Sequence, residues 1–562
     1  MMQQQDDNPA FIDMRTYTLP ETRYNKGNVR QIYAPLPRNT DRVPFDIYDY
    51  QMLFNDEGTK KIIREGNTIG CFYIESPGMR SLLKRLSVDT FEMLTAASSI
   101  IRPGVAESGM MQEFIDRHKD PGKRKYLLPE MEEYLSETYG VMIYQEDVLR
   151  IAHHVVGLSL EEADVLRRAM SGKMRSRKAM DLLIDKFYLS CKKKGIEENK
   201  ARELWRQIES FAGYAFCKAH SASFALLSFQ VAYLKVHYPA EFMASVLSNG
   251  GGYYSAAVYI QECRRTGLEV LLPSVNASIY QYTGSGKSVR IGLMAVKNLS
   301  RPAIDTIVSE RENNGKYVSL VDFLVRTRAG YEESSLLIRC GAMDCFNETR
   351  PSLMRLLDVY IRYRKVSDES CGNLFLNETF RLEKEVITKV NYAKEEICAI
   401  EYETFGYMVS GHPLDFFTGW MHRYSVIRST EMDKHKGQRA KMIGWYMASK
   451  RIRTRKGEIM KFLSLEDLAG TFEAVLFPGT YSKYAEQTLS MGPYLLEGRI
   501  DHENSTNIIV DRLEILSEAR VRLTTQKDGT ENSYFGDVEK VIEEEFEIFT
   551  AQETEKLRQA YI

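Results

Sequence analysis

The 562 residues carry 75 Lys and Arg against 77 Asp and Glu, a net charge of −2, with 44% hydrophobic and 27% charged residues. This is ordinary globular composition in a chain too long for one core, so about three to five domains are expected. It excludes a global basic field, so any nucleic-acid contact must come from local basic patches. No apolar run reaches the about 18 residues of a membrane span. The opening Met1-Met-Gln-Gln-Gln-Asp-Asp is polar and acidic, unlike a secretory signal. The cysteines are scattered with no Cys-x-x-Cys, and Cys340 and Cys345 have no His at ligand spacing. Reduced thiols in a cytoplasmic protein with no membrane partner are the simplest reading, and no metal site is predicted.

Residues 1–47 are weakly patterned, and Pro20, Pro35, Pro37 and Pro44 exclude long helices there. From residue 48 to about 262 the pattern is mostly helical. One helix is predicted from Glu146 to Val156, stopping at Gly157. The next opens on the capping box Ser159-Leu-Glu-Glu162 and shows an apolar stripe of Leu160, Ala163, Leu166 (with Val165) and Ala169–Met170. Residues 263–367 read as a smaller α-rich domain entered through short strands. Residues 368–377 read as an exposed loop and 378–440 as connecting helices. From 441 to 516 the pattern turns to strands, with runs at Met442–Met447, Ile459–Leu465, Thr471–Phe477 and Tyr494–Ile500. That spacing predicts a small five-stranded barrel, followed by a charged tail over 517–562.

Several stretches carry chemistry. Between Arg167 and Lys194 stand ten cations opposed only by Asp181 and Asp185. Arg167, Arg168 and Lys173, at a helix end and the turn after it, offer two planar forks and a point charge, a set suited to a triphosphate. On charge density alone the block reads first as a solvated face, with Asp164–Arg168 an ordinary i,i+4 pair. Glu75-Ser-Pro-Gly-Met79 followed by Lys84-Arg85, and Ile101-Arg-Pro-Gly104, each pair a tight turn with cations, as phosphate-binding turns and ordinary surface turns both do.

Phe211-Ala-Gly-Tyr-Ala-Phe-Cys-Lys-Ala-His-Ser-Ala-Ser-Phe-Ala225 is the most informative stretch. Its Gly hinge, aromatics, Lys218, His220, Ser221 and Ser223 do not belong to a plain amphipathic helix. His220 fits a structural or DNA-contact role, not acid–base work. Ala295-Val-Lys-Asn-Leu-Ser-Arg301 is a turn before a helix N-terminus. In the barrel, Trp445, Tyr446 and Phe462 are interleaved with Lys450, Arg451, Arg453, Arg455 and Lys461, the mixture that single-strand binding uses. Trp445 fits the core at least as well.

The strings Phe72-Tyr-Ile-Glu-Ser-Pro-Gly-Met79, Ile101–Gly104, Tyr139-Gly-Val-Met-Ile-Tyr-Gln-Glu146, Leu166-Arg-Arg-Ala-Met170, Phe211–Ala225, His237-Tyr-Pro-Ala-Glu-Phe-Met243 and Gly411-His-Pro-Leu414 occur in that order. In them the chain, over about residues 48–515, resembles the C-terminal half of the bacterial DNA polymerase III alpha subunits, the C-family replicative DNA polymerases. The resemblance implies a multidomain α+β fold. Residues 48–262 would be the end of a palm and the fingers, 263–367 a helix-hairpin-helix duplex-binding domain, 368–377 a clamp-contact loop and 441–516 an OB-fold. It implies DNA-templated synthesis from dNTPs, with Arg167, Arg168 and Lys173 on the triphosphate. It places Lys84, Arg85, Arg102, Lys218, His220 and Ser221 near DNA or nucleotide, and Tyr446, Arg451, Arg453 and Phe462 on single strands. Leu374 and Phe375 in Cys371-Gly-Asn-Leu-Phe375 match the apolar half of a sliding-clamp peptide whose usual Gln is missing. Asn298-Leu-Ser300 replaces a Gly-rich hairpin turn. Implied partners are the primer–template, the clamp and other replisome subunits.

The departure lies at the front. The family's palm carries a Pro-Asp-x-Asp-x-Asp motif whose carboxylates hold two Mg²⁺ ions. No Asp-x-Asp occurs in this chain. Only Asp13, in Phe11-Ile-Asp-Met14, echoes the third aspartate, and residues 1–47 are at most a palm remnant. The expectation is a chain inactive alone, whose palm a separate polypeptide supplies. The alternatives are a catalytically inactive DNA-binding accessory or a truncated relic.

Overall fold

The computed structural model describes residues 45–101, 109–170, 177–209, 217–250, 252–367, 389–454, 456–502 and 506–516. Asp13, Arg102, Lys173, Leu374 and Phe375 lie outside the described residues. The chain divides into two units, 1–49 and 50–562. Of the first, residues 45–49 form a turn in which the Asp49 amide donates to the Asp46 carbonyl at 3.0 Å. The described helices and strands all belong to the second.

The helices that position the site begin with α1 (Glu57–Arg64), α2 (Pro77–Leu86) and α3 (Phe91–Ile100). Each is started by a side chain that accepts from a first-turn amide: Asp56 from Thr59, Ser76 from Met79, Thr90 from Met93. Next come α4 (Gln145–Arg150), α5 (Leu160–Met170), α6 (Arg177–Lys193) and α7 (Glu198–Glu209). The predicted helix over 146–156 is interrupted. After α4 the backbone winds as a π-turn over Ile151–Val155, which buries Ile151, Ala152 and Val155. The capping box is present: the Ser159 amide donates to Glu162 at 3.0 Å and the Glu162 amide to Ser159 Oγ at 3.2 Å. The expected stripe of α5 is corrected in part. Ala163, Leu166 and Ala169 are buried, whereas Leu160 and Val165 face solvent.

The long helix α8 (Lys218–His237) packs across α3 and α1, and α9 (Pro239–Asn249) and α10 (Ala256–Arg265) complete the region. Three short strands come next, β1 (Glu269–Leu271), β2 (Thr283–Ser285) and β3 (Ser288–Arg290), with β3 central, parallel to β1 and antiparallel to β2. They lead into α11 (Arg301–Asn314), α12 (Leu320–Thr327), α13 (Tyr331–Arg339) and α14 (Arg350–Ser367). Asn298 takes a left-handed φ of 65°, which Asn tolerates better than most residues, and Ser300 caps α11. One continuous apolar core gathers residues from Ile63 to Val409 together with Met447 of the barrel.

After α15 (Lys394–Phe405), strands β4 (Arg439–Arg453), β5 (Ile459–Glu466), β6 (Thr471–Leu476), β7 (Tyr494–Ile500) and β8 (Asn507–Ile515) close a barrel in the order β4-β5-β6-β8-β7, of the OB-fold kind. Alternate residues point inward: Leu463 and Leu465, Phe472, Ala474 and Leu476, Ile508 and Val510. Strand β8 was not among the predicted runs, and β4 extends to Arg453, six residues past its predicted end at Met447.

Candidate nucleotide and nucleic-acid site

Three of the sequence motifs meet at the entry of α8. The Lys218 amide donates to Glu146 Oε2 at 3.0 Å, and its ammonium donates to Glu137 Oε2 at 2.6 Å while standing 5.3 Å from the Tyr144 ring centre. Residues 139–146 are therefore tied to the second half of the 211–225 stretch. Their bend is held by Asp147, which is buried and accepts from the Ile143 and Tyr144 amides at 2.9 Å each. Burial pushes the Asp147 carboxyl up to about 6, with the two amides opposing the shift. The third motif joins through Gln145, whose Oε1 accepts from Arg167 Nη1 at 2.9 Å.

Arg167 and Arg168 share one carboxylate. Arg167 donates to Asp164 Oδ1 from Nε at 2.9 Å and Nη2 at 2.7 Å, and Arg168 Nη2 lies 2.5 Å from Oδ2. Hydrogen bonds from Arg167, then Arg168, hold the Asp164 carboxyl below its ordinary range. The side chain of Arg168 is 65% exposed and that of Arg167 29%. Two guanidinium forks thus converge on oxyanion oxygens at the end of α5.

On α8, His220 is exposed and its ring lies 4.1 Å from that of Phe224. Phe224 in turn meets Tyr73 at 4.9 Å and Phe72 at 5.4 Å, both edge-on. Tyr73 holds a left-handed φ of 69°, a conformation costly for a non-glycine residue and concentrated at functional sites. Ser221 does not join this surface. It is fully buried, and its hydroxyl is 2.7 Å from Ser99 Oγ, so the expected contact with DNA or nucleotide gives way to packing of α8 on α3.

Lys84 and Arg85 stand on α2. Arg85 Nη2 donates to Gln112 Oε1 at 2.7 Å. Lys84 is exposed on a cleft between α2 and the barrel, and crowding around its ammonium, together with the Arg80 cation, lowers its pKa. Arg80 was not singled out in the sequence. The i, i+3, i+4, i+7 spacing of Pro77, Arg80, Ser81 and Lys84 was the signal that these residues share one face.

In the barrel, Arg451 and Arg453 are exposed on the far half of β4, Phe462 is half-buried beside them on β5, and Lys450 faces Phe462 across the ladder. Tyr446 is half-buried against the barrel core, 3.3 Å from Ser449 Oγ through its hydroxyl. Trp445 packs on a satellite cluster with Leu414, Ile443, Leu495 and Leu516. Lys461, the cross-strand partner of Arg451, is buried and donates to Thr488 O and Oγ1 at 3.0 Å each. Burial and the neighbouring Arg451 bring its amine down to about 8.

A profile for the finger domain of the bacterial DNA polymerase III alpha subunit matches residues 37–195, and one for the helix-hairpin-helix motif matches residues 267–353. The DNA polymerase III subunit alpha of Saccharopolyspora erythraea is 32% identical over 479 residues, 80% of this chain and 40% of that protein. The subunit of the same name from Staphylococcus aureus strain Mu50 is 31% identical over 475 residues, 83% of this chain and 43% of that protein.

Over most of its length this chain is similar to DNA polymerase III alpha subunits.

It spans about two fifths of the length of these relatives. Within the finger match stand Lys84, Arg85, Arg167 and Arg168, while Lys218, His220 and Ser221 come after it in sequence. The helix-hairpin-helix match runs from just before β1 into the start of α14. Among the described residues no three His, Cys, Asp or Glu side chains converge to hold a metal ion, so the described side chains do not fit the Mg²⁺ pair of a polymerase palm. Among the same residues no helix is long and apolar enough to cross a membrane.

Proposed function

We propose that this polypeptide serves DNA-templated DNA synthesis by gripping the incoming nucleotide and the nucleic acid, while catalytic metal is held by palm carboxylates from elsewhere. The match of most of the chain to DNA polymerase III alpha subunits carries this reading. Arg167 and Arg168 take the triphosphate of a dNTP. The arginine forks that now hold Asp164 are suited to exchange that carboxylate for phosphate oxygens, the same acceptor chemistry at higher charge. Lys173 adds a point charge. Lys84, Arg85, Arg102, Lys218 and His220 face the primer–template or nucleotide, and Arg451, Arg453, Tyr446 and Phe462 hold single-stranded template by charge and stacking. Leu374 and Phe375 offer a partial sliding-clamp contact. The protein works in the cytoplasm with other replisome subunits.

Mg²⁺ would supply activation of the primer 3′-hydroxyl and charge stabilisation on the leaving pyrophosphate. No step through it is assigned to this chain's residues, which orient the phosphates and the strand. Equilibrium binding of a dNTP by the wild type and by R167Q/R168Q tests the assignment. The account expects the double variant to lose at least about tenfold in affinity. Equal affinity would contradict it.

A further inference from the structure

Between α2 and the barrel lies a small open cleft. Its helical wall presents Arg80, Ser81 and Lys84, one stripe of α2, and its barrel wall presents Thr471, Glu473 and Thr506. Arg80 is fixed in place: its Nε donates to the Gly66 carbonyl at 2.8 Å and its Nη2 to Thr471 Oγ1 at 3.1 Å. The guanidinium thus bridges finger helix and barrel strand. One turn further along α2, Lys84 forms no ion pair with a described carboxylate. Crowding of its ammonium by the cleft walls, and after it the Arg80 cation, lowers the pKa of its amine, with Asp433 and Glu65 opposing more weakly. Two cations held side by side, with hydroxyls opposite, form an anion-shaped surface. Glu473 in the wall and the buried Glu262 oppose part of the Arg80 charge, and burial raises the Glu473 pKa against the pull of Arg80.

We propose that this cleft binds a phosphate group, seated between Lys84 and Arg80 of α2 and the Thr471 and Thr506 hydroxyls of the barrel. The chemistry is that of a tetrahedral oxyanion with several acceptor oxygens. A sugar or a neutral base offers no charge to the two cations that line the helical wall. The phosphate comes from a DNA strand passing from the finger region onto the barrel, or from a free phosphate. The strand source rests on the function proposed above, whereas the phosphate site itself does not. In either case the anion ties the two walls together, because its partners lie on both.

The test is lysine labelling of the full chain, read by mass spectrometry at Lys84, in chloride, in inorganic phosphate at equal ionic strength, and with a single-stranded oligothymidylate. Alongside it, oligothymidylate affinity is measured as a function of salt for the wild type, Lys84→Gln and Lys84→Arg. Lys84 is exposed and forms no ion pair with a described carboxylate, so both variants are expected to fold. A strand phosphate predicts protection of Lys84 by the oligonucleotide. It also predicts a salt-dependence slope reduced by about 0.7 and affinity lower by about fivefold near 0.1 M salt in Lys84→Gln, with recovery in Lys84→Arg. Protection by inorganic phosphate but not by the oligonucleotide supports the site and assigns it to a free anion. Lys84 labelled equally in all three conditions, with the oligonucleotide bound, overturns the site and removes Lys84 from the proposed strand contacts, while the rest of the proposed function stands. Absence of oligonucleotide binding counts against the proposed function, and the inorganic phosphate arm then decides the cleft alone.

Discussion

Arg265 Nη1 on α10 lies 2.8 Å from Glu466 Oε2 on β5, joining the helical region to the barrel through a largely buried ion pair. The pair is the middle of a longer relay. Lys235 on α8 donates to Glu262 Oε1 at 2.6 Å, Glu262 Oε2 takes Arg265 Nε at 3.0 Å, and Glu466 Oε1 is 3.3 Å from His412 Nε2. His412 Nδ1 accepts the Leu414 amide at 3.0 Å, so Nε2 carries the hydrogen and donates to Glu466. Two cations, two carboxylates and a neutral imidazole sum to zero inside the protein, so each member depends on the others.

Removing one member leaves its partner's charge uncompensated. Glu466→Gln is expected to cost about 3–5 kcal/mol, since Arg265 loses its barrel carboxylate. Trp420 and Trp445 both lie in the satellite cluster beside the barrel and make its unfolding visible by fluorescence in a denaturant titration. An unchanged barrel midpoint would show that the relay does not hold the barrel in place.

Asp164 competes with any triphosphate for Arg167 and Arg168. Asp164→Asn should therefore tighten dNTP binding by about three- to tenfold, because the two forks no longer have a charged acceptor to give up. Calorimetric titration reads this directly. Weaker binding would mean that Asp164 positions the arginines for a different task.

The buried Lys461 amine predicts a pH dependence. Its folded pKa, about 8, lies below the ordinary lysine value, so between pH 8 and about 10.5 the unfolded chain binds more protons and stability rises with pH. Lys461→Met should be more stable than the wild type near neutral pH by about 1–3 kcal/mol, and this gain should shrink above about pH 10. Unfolding curves at both pH values check the sign; a gain that grows with pH would contradict it.

Arg451 and Phe462 separate charge from stacking on the barrel. Arg451→Gln should lower the salt-dependence slope of single-strand binding by about 0.7, while Phe462→Ala should weaken binding by about 1–3 kcal/mol and leave the slope alone. The same response from both variants would argue against a stacking surface at Phe462.

Local rules were legible in the sequence. The Ser159–Glu162 box needs only a four-residue window, and the strand runs of the barrel follow a period of two. Features decided by distant partners were not. Ser221 reads as a polar ligand donor until Ser99, 122 residues away, takes its hydroxyl. The Arg265–Glu466 pair spans 201 residues and leaves no local signature. Leu160 fits a helical stripe by spacing, yet it and Val165 are left uncovered. Within the candidate site, spacing gave Arg167 and Arg168 as a charge pair and Asp164–Arg168 as an i,i+4 ion pair, but not that Arg167 shares the same carboxylate. Arg80 was passed over because its importance comes from the barrel wall opposite.

The central claim is that this polypeptide grips nucleotide and strand but does not itself seat the ions that drive bond formation. Primer extension with Mg²⁺ tests it most directly, using the purified chain alone and mixed with a palm-bearing polypeptide. The account predicts no nucleotide incorporation by the chain alone and extension by the mixture. Incorporation by the isolated chain, or none by the mixture, would contradict it.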